Sequence, residues 1–188
     1  MHERNPITLP SKYGPLHLEY FTGESGDGCV VVSSPPLGDG AYLRVQSSCL
    51  FSESFGTVDC DCASQLDIAL ATIAAHGGLL IYLFQEGRGI GLKDKFKAIH
   101  LQHTQGIGTV EAFETLGIAP DPRQYDIVVA VLRELHITKV RLATNNQLKA
   151  EYLRSAGVEV VRIPLRVPSN PNVAPYLEMK RKSLGHDV

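Results

Sequence analysis

The 188-residue chain contains no apolar run approaching the roughly eighteen residues that cross a bilayer, so no membrane-spanning helix is expected. It has no marked excess of charge. Eighteen Lys and Arg against twenty Asp and Glu give a formal net charge of -2. That balance excludes the broad positive footprint of a nucleic-acid binder but leaves room for a local cluster that takes a small anion. Cysteine is scarce, four in all, and two of the four stand one residue apart, too close for bridge geometry. A disulfide scaffold is therefore not expected, whereas reduced thiolates holding a metal are. The opening Met1-His2-Glu3-Arg4-Asn5-Pro6 lacks the pattern of a secretion signal, and a cytoplasmic location is expected. No internal repeat or long linker divides the chain, which is read as one domain over 1–188 with an irregular basic segment over 164–188.

What the chain does have is a cysteine array. Cys49, Cys60 and Cys62 follow at spacings of eleven and two, with Cys29 twenty residues upstream. Three soft ligands without an evident fourth describe a zinc ion with an open position for water. A structural site closed by a distant histidine is the rival reading. Cys29 sits in the apolar run Cys29-Val30-Val31-Val32 and is read as a small hydrophobe.

The periodicity alternates along the chain. Leu16, Leu18 and Tyr20 alternate with polar neighbours as in a half-buried strand, and 29–32, 41–46, 79–84, 139–143 and 158–163 read as further strands. Helical spacing begins near Ser64 and stops at Gly77-Gly78; 92–103, 125–135 and 147–156 also read as helices. The fold class is accordingly α/β, or α+β mixed, with a mixed sheet and flanking helices.

Between strand 79–84 and the next helix lies Gln85-Glu86-Gly87-Arg88-Gly89-Ile90-Gly91. It lacks the Gly-Lys-Ser/Thr of a P-loop. Glu86 and Arg88 suit a ligand loop at a strand end, or a tight turn with an exposed ion pair. Asp121-Pro122-Arg123 and Thr144-Asn145-Asn146 likewise read either as ligand contacts or as helix caps. His100 and His103 stand about one helical turn apart in a basic neighbourhood with Lys93, Lys95 and Lys97.

Taken together, these motifs resemble the GTP cyclohydrolase II family of riboflavin biosynthesis over roughly Leu9 to His186. The likeness is carried by Cys-x10-Cys-x-Cys, Gln65, the 85–91 run and Thr109-Val110-Glu111-Ala112. It continues through Leu116-Gly117, Asp121, Arg123, Thr144-Asn145-Asn146 and the tail Asn170-Pro171-Asn172 with Tyr176-Leu177 and Lys180. The resemblance implies a homodimeric, zinc-dependent hydrolase that attacks C8 of GTP. Ring opening, loss of formate and magnesium-assisted release of pyrophosphate follow. It implies that Cys49, Cys60 and Cys62 hold zinc, that Arg123 supported by Asp121 acts at the phosphate, and that Arg44, Gln65, Glu86, Arg88, Thr144 and Lys149 contact the nucleotide.

The chain also departs from the family pattern. Gln46, Ser48, Glu53, Asp59 and Ala63 stand where the family usually reads His, Glu, Asp, Arg and Gly. The family's active-site tyrosine falls at Ile99 or His100, and His100 is expected to take its place as a proton donor. Two other outcomes stand beside GTP turnover. One is a related hydrolase of another purine nucleotide or base that stops at a formamidopyrimidine. The other is a catalytically weak nucleotide-binding regulatory protein.

Overall fold

The computed structural model describes residues 5–23, 26, 28–119, 121–168 and 178. The basic run Lys180-Arg181-Lys182 and the tail motifs over 170–177 lie outside them. One seven-stranded sheet carries the chain: β1 (Ile7–Ser11), β2 (Gly14–Thr22), β3 (Gly28–Ser34), β4 (Ala41–Ser47), β5 (Gly78–Leu83), β6 (Lys139–Ala143) and β7 (Glu159–Ile163). The spatial order is β1-β2-β3-β5-β4-β6-β7. The pairs β1–β2, β2–β3 and β3–β5 are antiparallel, whereas β5–β4, β4–β6 and β6–β7 are parallel. The expected mixed sheet with flanking helices is what forms.

Among the described residues six α-helices connect and cover these strands: α1 (Leu50–Phe55), α2 (Cys62–His76), α3 (Gly91–Gln105), α4 (Thr109–Thr115), α5 (Asp126–Glu134) and α6 (Gln147–Ser155). Alternation within the strands decides which helix covers which face. Leu43, Val45, Leu79 and Ile81 point into the main core with Val128 and Leu132 of α5 and Leu153 of α6. Leu80 and Val32 point the other way, onto Ala69 and Ile73 of α2. Each fully buried Leu or Ile contributes about 1.5–3 kcal/mol, so both faces stabilise the sheet. On β2, α2 reaches Leu16 and Leu18 but leaves Tyr20 53% exposed; the buried aromatic at that end is Phe21, on the opposite face. Cys29 packs in the main core as a hydrophobe.

The topology creates the place for a site. The chain leaves β4 for β5 on one side and comes back to β6 on the other, so the connections diverge around β4. Open parallel sheets form a crevice at such a switch point, beyond the C-terminal strand ends. Residues 47–49, 85–89 and 144–146 all emerge there. Close packing is needed at the opposite end, where Gly78 has φ +129 and an added Cβ would lie 2.6 Å from the Tyr42 carbonyl.

Candidate metal and nucleotide site

A cavity of about 530 Å³ occupies the crevice, within the usual range for small-molecule sites. Its walls include Cys49, Cys60 and Cys62, together with Arg44, Gln65, Glu86, Arg88, Arg123, Thr144 and Lys149. Asp121 reaches it only through Arg123, and His100 does not line it.

The three thiols converge because a short helix intervenes between them. Cys49 precedes α1, Gly56 closes that helix with a left-handed φ of 68°, and the returning chain enters α2 at Cys62. Buried Ser52 pins the two helices by accepting from the amide of Ala63 at 3.1 Å. All three Sγ atoms lie within 4.8 Å of one another, and those of Cys49 and Cys60 are 3.8 Å apart. Sulfurs bound at ~2.3 Å on a tetrahedral ion would be separated by ~3.8 Å, so the donors fit a thiolate-preferring metal. Contact with Cys60 and Cys62 draws Cys49 towards the thiolate, while the same contact with Cys49 pushes Cys60 up. Cys62 is the first residue of α2, so its position is fixed by the start of that helix. Among the described residues no other group of three His, Cys, Asp or Glu side chains is placed to hold a metal ion, and His100 and His103 belong to none.

Beneath the thiols, polar side chains from β4 enter a continuous network. Leu43 and Val45 face the core, so Arg44 and Gln46 face α2. The Arg44 guanidinium donates to Gln46 Oε1 from Nε (3.0 Å) and Nη2 (2.7 Å), to Gln65 Oε1 (2.6 Å) and to the Ala143 carbonyl (3.0 Å). Burial lowers its pKa. Gln65 in turn donates to Asp61 at 2.5 Å, which fixes its amide. Gln46 donates to Glu53 Oε1 at 2.8 Å, and Glu53 Oε2 accepts from Tyr82 at 2.5 Å and from the Cys49 amide at 3.3 Å. Two of the chain's departures from the family pattern, Gln46 and Glu53, are thus direct partners. Burial and the Glu53 carboxylate both push the Tyr82 phenol up, keeping it a donor.

The turn after β5 is built from consecutive left-handed residues: Gly87 (φ 61), Arg88 (φ 63) and Gly89 (φ 89). Arg88 pays for that conformation, at about 1–2 kcal/mol, and strain of this kind collects at functional sites. Its guanidinium lies 5.6 Å from the Phe113 ring centroid. Arg123, packed against Gly89, donates to Asp121 from Nε (2.6 Å) and Nη2 (2.5 Å). Burial opposes ionisation of Asp121, but the hydrogen bonds and charge of Arg123 outweigh it and hold the carboxyl below its ordinary range. Lys149 is buried and donates to the Val45 carbonyl at 2.8 Å. Asn146 caps α6 through the Lys149 amide, and Asn145 ties both polar backbone groups of Leu165.

Helix phase decides what α3 offers. Lys95, Ala98, Ile99, Gln102 and His103 line the cavity, a run at i, i+3, i+4, i+7 and i+8. His100 falls 100° away from Ile99 and is exposed, so the expected exchange of His100 for a tyrosine is not the one the helix makes. That stripe was available in the sequence, and it would have selected Lys95, Gln102 and His103 instead. Gln102 accepts from the Thr109 hydroxyl at 3.1 Å, joining α3 to α4 across the cavity.

Comparison with known proteins gives this arrangement a family. The profile of the family described as GTP cyclohydrolase II matches residues 3–164. The chain is 45% identical over 184 residues to GTP cyclohydrolase-2 of Hahella chejuensis, covering 95% of this chain and 88% of that protein. It is 41% identical over 184 residues to GTP cyclohydrolase-2 of Helicobacter hepaticus, covering 95% and 94%. With riboflavin biosynthesis protein RibBA of Bacillus subtilis it shares 43% identity over 187 residues, spanning 96% of this chain but 46% of that longer protein. Among the described residues no helix is long and apolar enough to cross a membrane. With three thiols and two arginines meeting at the switch point, and likeness running along nearly the whole sequence, the chain belongs to the GTP cyclohydrolase II family.

Proposed function

We propose that the chain is a zinc-dependent hydrolase that opens the imidazole ring of GTP at C8, with release of formate and pyrophosphate. The observation that carries this is the meeting of Cys49, Cys60 and Cys62 with Arg88 and Arg123 on the walls of one cavity. When bound, zinc supplies a hydrolytic nucleophile near neutral pH and Lewis-acid stabilisation of the developing charge. Arg44 and Gln65, locked together and to Asp61, offer a rigid edge beside the metal ligands for orienting the base. Arg88 and Arg123 neutralise charge on the phosphates, assisted by magnesium on the triphosphate. A guanidinium carries its charge throughout and Arg123 is held in place by Asp121, so its role at the phosphate is electrostatic. Thr144 and Lys149 complete the nucleotide contacts from the β6 end of the cavity, and the protein works as a homodimer.

A second reading stops at a formamidopyrimidine nucleotide. It is favoured by Ile99, which presents a hydrocarbon to the cavity and can move no proton in the later steps.

The test is mass spectrometry of products from GTP, GDP, GMP and guanine, with zinc content measured on the same protein. Conversion of GTP that tracks zinc content is expected. Zinc-loaded protein that binds GTP and leaves it unchanged would sink the proposal and favour a regulatory binder.

A further inference from the structure

Lys95 lines the cavity, and the proposed reaction gives it no task. Its ammonium lies 2.6 Å from Glu86 Oε1, 3.4 Å from Cys49 Sγ and 4.3 Å from the centroid of the Phe51 ring. An ammonium has three N–H donors and no acceptor, and a carboxylate, a sulfur and a π face surround this one. Its side chain is 15% exposed and that of Glu86 14%. Glu86 is equally committed. Oε1 also accepts from the Gly87 amide (3.2 Å), and Oε2 accepts from the Leu50 amide (2.8 Å), one residue after Cys49. Gly87 permits the approach, since a Cβ there would stand 2.9 Å from the Lys95 Cβ.

Resting on the zinc reading above, we propose that Lys95, clamped by Glu86, is a positioning residue for the metal centre that donates an N–H···S hydrogen bond to the Cys49 thiolate. Three thiolates around one divalent cation leave a single net negative charge, and the ammonium sets a positive charge directly against it at Cys49, with Glu86 holding its other side. The hydrogen bond withdraws electron density from Cys49, which restores Lewis acidity that a trithiolate site would otherwise lose. A lysine in a nucleotide cavity invites a phosphate-binding role instead. The geometry points away from it, because the ammonium is held between Glu86, Cys49 and the Phe51 ring.

The two roles separate by measuring zinc affinity by chelator competition, the sulfur-to-cobalt charge-transfer band of the Co(II)-loaded protein, and KM for GTP. K95M is expected to weaken zinc binding about 10- to 100-fold and to move the band to lower energy. K95R, which keeps charge and donor, should recover most of both. If K95M does not fold, K95Q carries the test: it keeps a neutral donor without the charge, and its band should lie at lower energy than that of the parent, with weaker zinc binding. Zinc affinity and band unchanged in these variants would overturn the proposal, as would a rise in KM alone, which marks a phosphate contact. Parent protein that takes up no zinc at all would overturn the zinc reading together with this one.

Discussion

The cavity has two kinds of wall. The wall from β4, α1 and α2 is braced, with Arg44, Gln46, Glu53, Tyr82, Gln65 and Asp61 joined by consecutive hydrogen bonds beneath the metal ligands. The wall from α3 and α4 is more lightly attached, held to the metal side by the Lys95 contacts with Glu86 and Cys49 and by the Phe51–Phe96 ring contact. Its buried core is the small separate cluster Ala98, Ala112 and Phe113, and exposed His103 stands at its edge. A braced wall fixes where a metal sits to within fractions of an ångström, and breaking it leaves buried polar groups unpaired. A lightly attached wall tolerates exchange of side chains. On the braced wall Gln46 and Glu53 are bonded to each other, whereas on the other Ile99 presents hydrocarbon to the cavity.

The comparison breaks most completely at the thiols. Cys62→Ser should abolish both zinc retention and ring opening, read as metal content and product mass; normal activity with normal metal would reject the ligand assignment. Next in size is Arg88→Gly. Glycine relieves the left-handed strain, worth about 1–2 kcal/mol, and loses the Phe113 contact, worth ~0.5–1 kcal/mol. Stability should therefore stay close to that of the parent while turnover falls on the order of 100-fold. Thermal unfolding beside kinetics checks this, and a large loss of stability would contradict the strain argument.

Glu53→Gln attacks the braced wall without replacing a ligand. It replaces a carboxylate that accepts from Tyr82, Gln46 and the Cys49 amide, and should cost about 1–3 kcal/mol by denaturant unfolding. An unaffected midpoint would show that the network does not stabilise the fold. Asp121→Asn should give a smaller, pH-dependent loss. The folded carboxyl titrates below its unfolded value of about 3.9, so its contribution is fully present above that value and is lost as pH falls through the folded one. Parent and variant should therefore differ at neutral pH and converge in acid. The smallest effect belongs to His100→Ala, which should change kcat/KM by no more than about twofold, since exposed substitutions stay within ~0.5 kcal/mol. A large loss would place His100 in the chemistry after all.

The sheet and long helices were legible because their patterns are physical. Leu-Arg-Val-Gln over 43–46 alternates between core and network, and the apolar run of α5 is buried at Ile127, Val128, Val131 and Leu132. β1 gave no comparable signal, because Ile7 and Leu9 are about half exposed on an edge strand. α1 is too short, at six residues, to show a period. The thiols were visible from spacing alone. The contact between Lys95 and Cys49 was not, since it joins residues 46 apart that only the turn after β5 brings together. His100 illustrates the opposite hazard: a neighbour in sequence need not be a neighbour in the site, and one helical step of 100° separates His100 from Ile99.

The most direct measurement follows the carbon that the account says is attacked. GTP labelled with carbon-13 at C8 would be incubated with zinc-loaded and metal-stripped protein and observed by NMR. The label is predicted to leave the aromatic region only with zinc, arriving as free formate or, if the reaction stops early, as a formyl group on the pyrimidine. An aromatic C8 signal that persists while the phosphates are cleaved would contradict the account.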